Sequence, residues 1–241
     1  FGQASLLMFT SHLLSVVSQP LIGYLGDKKP RPWLMAVGMF LSCFGACLMG
    51  FSGSFTVLIF CAFLIGFGSS IYHPEGGRLA NLASGSQKGK GLGYFSVCGN
   101  LGYALGPIVL TLAFTLFANL GSLIFAPFGI VGISIVLANN SKLSLLEAEE
   151  VKLTEDYKSV NDIFGFVLSL IAVTLRFCIH NGMLLLIPLF FLNILNTSDA
   201  FSSSMLSLFS FFALVATLIG GFFAEKVGYK KMMLITFVLY I

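Results

Sequence analysis

One arginine stands apart from the other cations of this sequence. The chain has 13 Lys and Arg residues. Arg176 lies inside a long apolar run, whereas all the others lie in short polar breaks. A lone charge at membrane depth costs several kcal/mol, so such a residue is a candidate for function. Its guanidinium can hold a phosphonate or carboxylate through two parallel hydrogen bonds. We predict that Arg176 binds substrate or takes part in coupling; the alternative is a structural pair with a buried acid or with backbone carbonyls.

A histidine shares the helical face of this arginine. His180 follows Arg176 by four residues, which places both on one side of a helix. An imidazole titrates near neutral pH, as a proton-coupled carrier requires. The spacing therefore indicates a substrate or coupling role for His180, and the alternative is a plain hydrogen bond to a neighbour.

A second polar group, His73-Pro74-Glu75 with Arg78, closes the third apolar run. It comes about twenty residues into that run, so it lies at the membrane's edge rather than at its centre. Pro74 loosens the helical turn, and Glu75 and Arg78 can pair at i, i+3. We predict an intracellular gate that combines His73 and this pair with Asp27. The alternative is a permanently solvated helix end.

Three further polar residues lie in apolar runs. His12 and Gln19 share one face of the first run with Ser15, and Asn100 lies in the fourth. Together with the arginine site, His12, Gln19 and Asn100 are predicted to line a cavity for substrate. Hydrogen bonding between helices is the alternative for all three.

The elements that must position these residues are long apolar segments. Hydrophobic residues make up 57% of the chain and charged residues 10%, against roughly 25% charged in soluble domains. Because about 20 apolar residues span a bilayer, the predicted fold class is an all-α polytopic membrane protein with seven complete transmembrane helices and a partial eighth. The runs cover residues 4–25, 33–50, 55–82, 92–115, 120–138, 163–192, 201–224 and 232–241.

The charges of the breaks indicate an orientation. The breaks at 26–32, 76–91, 139–161 and 225–231 hold all the loop cations, and the alternate turns hold none. Lys and Arg collect in cytoplasmic loops, which places these breaks in the cytoplasm and the first residue outside. Such a start, without Met, is expected of a fragment that lacks an upstream segment.

Two of these breaks resemble each other. Gly23–Lys28 and Gly221–Lys226 share a glycine, two large apolar residues, a small residue, an acid and a lysine. Each copy ends one apolar run and precedes the next. Parallel repeats of this kind build the two halves of many secondary transporters. The acid–lysine steps Asp27–Lys28 and Glu225–Lys226 are therefore predicted to belong to the gate.

With this repeat, the chain resembles the major facilitator superfamily, from about the second transmembrane helix to the start of the ninth. Gly102–Pro107 resembles the first part of the family's antiporter motif in helix 5, although Leu110–Thr111 replaces its trailing glycine pair. The glycine stripe of this helix is expected to allow close packing or a bend at the proline; its members are Gly99, Gly102, Gly106 and Pro107.

A narrower resemblance is to the fosmidomycin-resistance branch of that superfamily. It rests on Ser18–Gly23, Asp27–Trp33, Gly66–Arg78 and Gly99–Gly102. The resemblance implies alternating access and proton-coupled export of a small anionic compound such as fosmidomycin. The longest charged stretch, at 139–161, is predicted to be a cytoplasmic linker between an N-terminal bundle at 1–138 and an incomplete C-terminal bundle at 162–241.

The sequence is also compatible with other functions. Uptake of a metabolite needs the same fold, and seven spans with an outside start also fit a receptor, although the repeat argues against one. A membrane enzyme built on His73 and Glu75 lacks clustered ligands and a nucleophile beside a base, so no enzyme activity is expected. The expected partners are the lipid bilayer, a small-molecule substrate and a proton, with no nucleic acid, cofactor or metal. The complete protein is expected to be a monomer in the cell's inner membrane.

Overall fold

The computed structural model describes residues 2–28, 31–85, 88–146 and 162–239. Within these ranges the structure is helical and has no strand, so the predicted all-α class is confirmed. The elements in chain order are α1 (Gly2–Lys28), α2 (Trp33–Met49), α3 (Phe55–Ala83), α4 (Lys88–Phe117), a 3-10 helix (Ala118–Ile124), α5 (Phe125–Ala138), α6 (Ile163–Asn193), α7 (Asp199–Val227) and α8 (Tyr229–Leu239).

Five helical stretches of the described residues are long and apolar enough to cross a membrane. One of them, Gly91–Ala138, covers most of α4 and all of α5, which the 3-10 helix separates. The shorter α2 is an apolar helix of 17 residues, at the lower limit for a span. The seven predicted spans correspond to α1 through α7. The fifth comprises the 14 residues of α5 together with the 3-10 helix before it. The 11 residues of α8 rise by only about 16 Å, as expected for the partial eighth.

Two helix boundaries test how well the hydropathy pattern predicts where a helix ends. As predicted, α3 continues through Pro74 to Ala83. The predicted break at 225–231 is much shorter, because α7 reaches Val227 and α8 starts at Tyr229. Gly228 alone separates them, with a φ of 93° that side chains disfavour. The charges of this segment therefore lie mostly on helix ends rather than in a loop.

The chain divides into two compact units, Phe1–Phe95 with Val109–Glu155, and Ser96–Ile108 with Asp156–Ile241. The middle of α4 thus groups with the second unit. The predicted linker at 139–161 is helical at 140–146, and its residues 147–161 lie outside the described ranges. The division into an N-terminal bundle, a linker and a C-terminal bundle stays a prediction.

Small residues bring the helices of the first unit together. A Cβ on Gly38 of α2 would lie 2.7 Å from the carbonyl oxygen of Gly68 on α3. A Cβ on Gly66 of α3 would overlap the carbonyl of Ser11 on α1. Lipid is as apolar as the helices, so such van der Waals contact is a main source of their association. The helices α1 and α2 therefore both approach α3 closely enough for backbone contact.

In the second unit, α6 packs along α7. Leu184 of α6 and Leu214 of α7 are buried, and the Ser202 hydroxyl of α7 donates to the Pro188 carbonyl at 2.8 Å. That bond satisfies a hydroxyl that is almost fully buried. The start of α6 is fixed by Asp162, whose carboxylate accepts a hydrogen bond from the Gly165 amide at 2.9 Å, the usual role of an acidic N-cap.

Candidate functional site

An ion pair joins Glu75 and Arg78 on α3. Their side chains approach to 2.8 Å between Oε2 and the guanidinium, as the i, i+3 spacing predicts. The Glu75 side chain is 3% exposed and that of Arg78 is 20% exposed. A buried carboxylate needs such a partner, because removing a charge from water costs several kcal/mol. The alternative of a permanently solvated helix end is therefore wrong for Glu75.

The other oxygen of this carboxylate faces α1. A Cβ built on Gly26 would lie 2.6 Å from Glu75 Oε1. The absence of a side chain at Gly26 therefore leaves the space that the carboxylate occupies. Glu75 of α3 is thus in contact with Gly26 near the end of α1. Gly26 directly precedes Asp27 in the repeated motif.

The other residues predicted for the gate have different surroundings. The side chains of Asp27, Lys28 and Glu225 lie outside the described part of the structure. Lys226 is exposed on α7. His73 is also exposed, with its ring edge-on to Tyr72 at 5.5 Å between centroids. The structure brings Glu75 and Arg78 together, and the membership of the other residues stays a prediction.

A serine and glutamine network connects α1 to α3 within the first unit. The Gln19 amide donates to the Ser15 hydroxyl at 2.9 Å, and that hydroxyl lies 3.4 Å from Ser69 Oγ. Ser15 is buried, and His12 is half-buried on the same helix. Ser15 makes the contact with α3, and the bond of Gln19 lies within its own helix. The predicted place of Gln19 in a substrate cavity stays untested, as does that of His12.

Asn100 makes a comparable bond in the second unit. Its amide donates to the Thr217 hydroxyl of α7 at 2.9 Å, and the same hydroxyl donates to the Ala213 carbonyl at 2.8 Å. Both Asn100 and Thr217 are half-buried. This pair ties the middle of α4 to α7, which again is the interhelical role that was the alternative to cavity lining.

The strength of this tie can be measured. We expect Asn100→Ala and Thr217→Val to show a coupling of about 0.6 kcal/mol, and below about 2 kcal/mol, in a double-mutant cycle on unfolding of the complete protein in detergent. Thr115→Val is the matched control, because the Thr115 hydroxyl bonds only to its own helix in the structure. Its effect should add to that of Asn100→Ala. Additive effects of Asn100→Ala and Thr217→Val would contradict the bond.

The glycine stripe of α4 has no close neighbour among the described residues. A Cβ on Gly99, Gly102 or Gly106 would meet no heavy atom of the described structure within 4 Å. Close packing or a bend at this stripe stays a prediction. Close glycine contacts are present elsewhere, for example where α3 crosses α1 and α2. The α4 helix continues through Pro107 to Phe117.

Arg176 lies roughly 20 Å along α6 by helical rise, near the middle of a 31-residue helix. Its side chain is exposed. No carboxylate with a described position lies within ion-pair distance of it. On the same helix, the His180 ring stacks on Phe209 of α7 at 5.9 Å between centroids. Arg176 is thus exposed within the second unit, whereas His180 packs against Phe209.

Some of these contacts could not be found from the sequence. Ser69 and Thr217 were missed as partners, because small hydroxyl residues are common in membrane helices and their contacts are distant along the chain. Among the described residues, no three His, Cys, Asp or Glu side chains gather as metal ligands would.

Comparisons with known proteins agree with this architecture. The profile of the Major Facilitator Superfamily matches residues 1–241. An uncharacterized MFS-type transporter YfnC of Bacillus subtilis (strain 168) is 37% identical over 125 residues, 52% of this chain and 31% of that protein. The fosmidomycin resistance protein of Escherichia coli (strain K12) is 38% identical over 129 residues, 54% of this chain and 29% of that protein.

The matched segments thus span about a third of each relative. The family profile covers the chain from end to end. The long apolar helices are those of a multi-pass membrane protein. The chain belongs to the Major Facilitator Superfamily.

Proposed function

We propose that the complete protein is a secondary active transporter that works by alternating access and exports a small anionic compound in exchange for protons. Family membership supports the transport function. The name of the Escherichia coli relative, fosmidomycin resistance protein, supports a phosphonate such as fosmidomycin as substrate. No enzymatic step is part of the proposal.

One observation carries the preference for an anion. Arg176 is exposed in the middle of a membrane-spanning helix, with no described carboxylate beside it. An ionisable residue at such depth faces the bundle interior or a water-filled cavity in most membrane proteins. A guanidinium there can bind a phosphonate in a two-pronged geometry. His180, one turn later, is proposed to assist proton coupling, and His12, Gln19 and Asn100 to line the same path.

The Glu75–Arg78 pair is proposed to form part of the intracellular gate. The contact between Glu75 and Gly26 supports this role, because any movement of the end of α1 changes the space around the carboxylate. Asp27, Lys28, His73, Glu225 and Lys226 are proposed to join this charge network as the halves move. The protein would lie in the cytoplasmic membrane as a monomer, with its charged breaks in the cytoplasm.

The first experiment is antibiotic susceptibility of a sensitive bacterium that expresses the complete protein. We expect selective resistance to fosmidomycin, with unrelated drugs unaffected, and loss of that resistance when the proton gradient is collapsed. Resistance that persists without the gradient would contradict proton coupling. No resistance to any compound, with the protein present in the membrane, would overturn the export proposal and favour metabolite uptake by the same fold.

A further inference from the structure

The imidazole of His180 lies against one aromatic side chain of α7. Its ring centroid is 5.9 Å from that of Phe209, and the two ring planes are 30° apart. Aromatic pairs favour such offset stacking, with centroids about 4.5–7 Å apart. Both side chains are half-buried. The second unit therefore holds the ring of a residue proposed for proton coupling, and the contact comes from a residue that the sequence patterns did not single out.

A hydrogen bond between the same two helices fixes the level of this stack. Ser202 of α7 donates to the Pro188 carbonyl of α6 at 2.8 Å. His180 precedes Pro188 by eight residues, and Phe209 follows Ser202 by seven, which is about two turns in each helix. The two contacts therefore agree with one antiparallel register of α6 and α7. Helix packing, rather than the ring contact alone, places Phe209 at the level of His180.

A stacked aromatic ring suits a histidine that has to gain and lose a proton. Stacking engages the face of the imidazole, whereas the two nitrogens that exchange protons lie at its edge. The face of a phenyl ring also attracts a cation within about 6 Å of its centroid, so the contact is kept when His180 is protonated. A hydrogen-bond partner would instead occupy one nitrogen and favour one protonation state. Phe209 can therefore orient the imidazole without preventing its titration.

The charges around His180 give this contact a further effect. Arg176 lies one turn away on the same helix, and like charges at this spacing repel each other. The attraction between the Phe209 ring and a protonated imidazole opposes that repulsion. In α8 the ionisable side chains lie in the first turn. The other ionisable side chains on the apolar parts of α6, α7 and the middle of α4 are Cys178, Cys98 and Tyr103.

We propose that Phe209 is a positioning residue for proton coupling, whose ring holds the imidazole of His180 in one orientation in both its neutral and its protonated state. This inference rests on the coupling role proposed for His180. Without the aromatic ring, the imidazole is free to turn about its side-chain bonds, so proton exchange is no longer tied to one step of the transport cycle. Exchange of substrate for substrate moves no net proton and does not need this step.

Two transport assays on the complete protein in inverted membrane vesicles separate coupling from substrate movement. One measures accumulation of labelled fosmidomycin driven by an imposed proton gradient. The other measures exchange of labelled for preloaded unlabelled fosmidomycin without a gradient. For Phe209→Leu we expect accumulation to fall about tenfold or more, because misplacing a positioned group is costly, and exchange to stay within about twofold of the parent. Phe209→Tyr keeps the ring and should retain both activities; Phe209→Met replaces Phe209→Leu if the latter does not fold.

The matched control is Phe201→Leu. Phe201 of α7 meets Phe191 of α6 edge-on at 5.6 Å, so this variant removes an aromatic contact between the same helices without touching His180, and it should keep both activities. Equal losses in Phe201→Leu and Phe209→Leu, parent-like accumulation by Phe209→Leu, or loss of its exchange activity would each overturn the positioning role. Failure of proton coupling itself appears in the parent, as a lack of gradient-driven accumulation, and the role of Phe209 falls with it.

Discussion

Replacing Arg176 with lysine is expected to abolish most of the transport, although the charge is kept. A guanidinium presents a planar pair of donors that matches a phosphonate, whereas the ammonium of lysine is a single point charge. A hydrogen bond to a charged group contributes about 1.5–3 kcal/mol. Loss of one such bond therefore predicts a fall of about ten- to a hundredfold in transport efficiency.

The measurement is uptake of labelled fosmidomycin into inverted vesicles, with a proton gradient imposed. Lys142→Ala is the matched control, because Lys142 is an exposed cation at the end of the apolar helices and has no proposed role. That variant should transport like the parent. Wild-type transport by Arg176→Lys would show that charge alone suffices, and wild-type transport by Arg176→Ala would exclude Arg176 from the substrate site.

Arg176 could be identified from the sequence because membrane helices are long apolar runs, in which a single charged residue stands out. Long apolar runs with charged breaks predicted the all-α fold and the positions of α1 through α7, since in a bilayer a helix must satisfy its backbone groups internally. The short break at Gly228 was less predictable. A single residue with a positive φ can separate two helices without any change in hydropathy.

The polar contacts also differ in whether they can be predicted from the sequence. The Glu75–Arg78 pair follows from helical periodicity, which is local and can be read from spacing. The contacts of Gln19 with Ser69 through Ser15, and of Asn100 with Thr217, depend on which helix faces are adjacent. The same limit applies to the glycine stripe of α4, whose packing stays a prediction. A stripe indicates that close approach is possible, while only the packing of the helices decides where it occurs.

The Glu75–Arg78 pair leads to an asymmetric prediction, because its two members differ in burial. Arg78→Met leaves a carboxylate whose side chain is 3% exposed without its cation, whereas Glu75→Gln leaves a guanidinium that is 20% exposed. Breaking a buried pair by removing one partner costs about 3–5 kcal/mol. We expect Arg78→Met to approach that cost and Glu75→Gln to lose less, since water reaches the arginine. Thermal unfolding of the complete protein in detergent measures both.

The double variant separates a structural pair from a gate. Glu75→Gln with Arg78→Met removes both charges, so it should recover much of the stability that Arg78→Met loses. If the pair also acts as a gate, transport should stay low in this variant even though the fold is restored, because the charged contact near Gly26 no longer holds the closed state. Recovery of stability and transport together would assign the pair a purely structural role. Equal losses in the two single variants would contradict the burial difference on which the prediction rests.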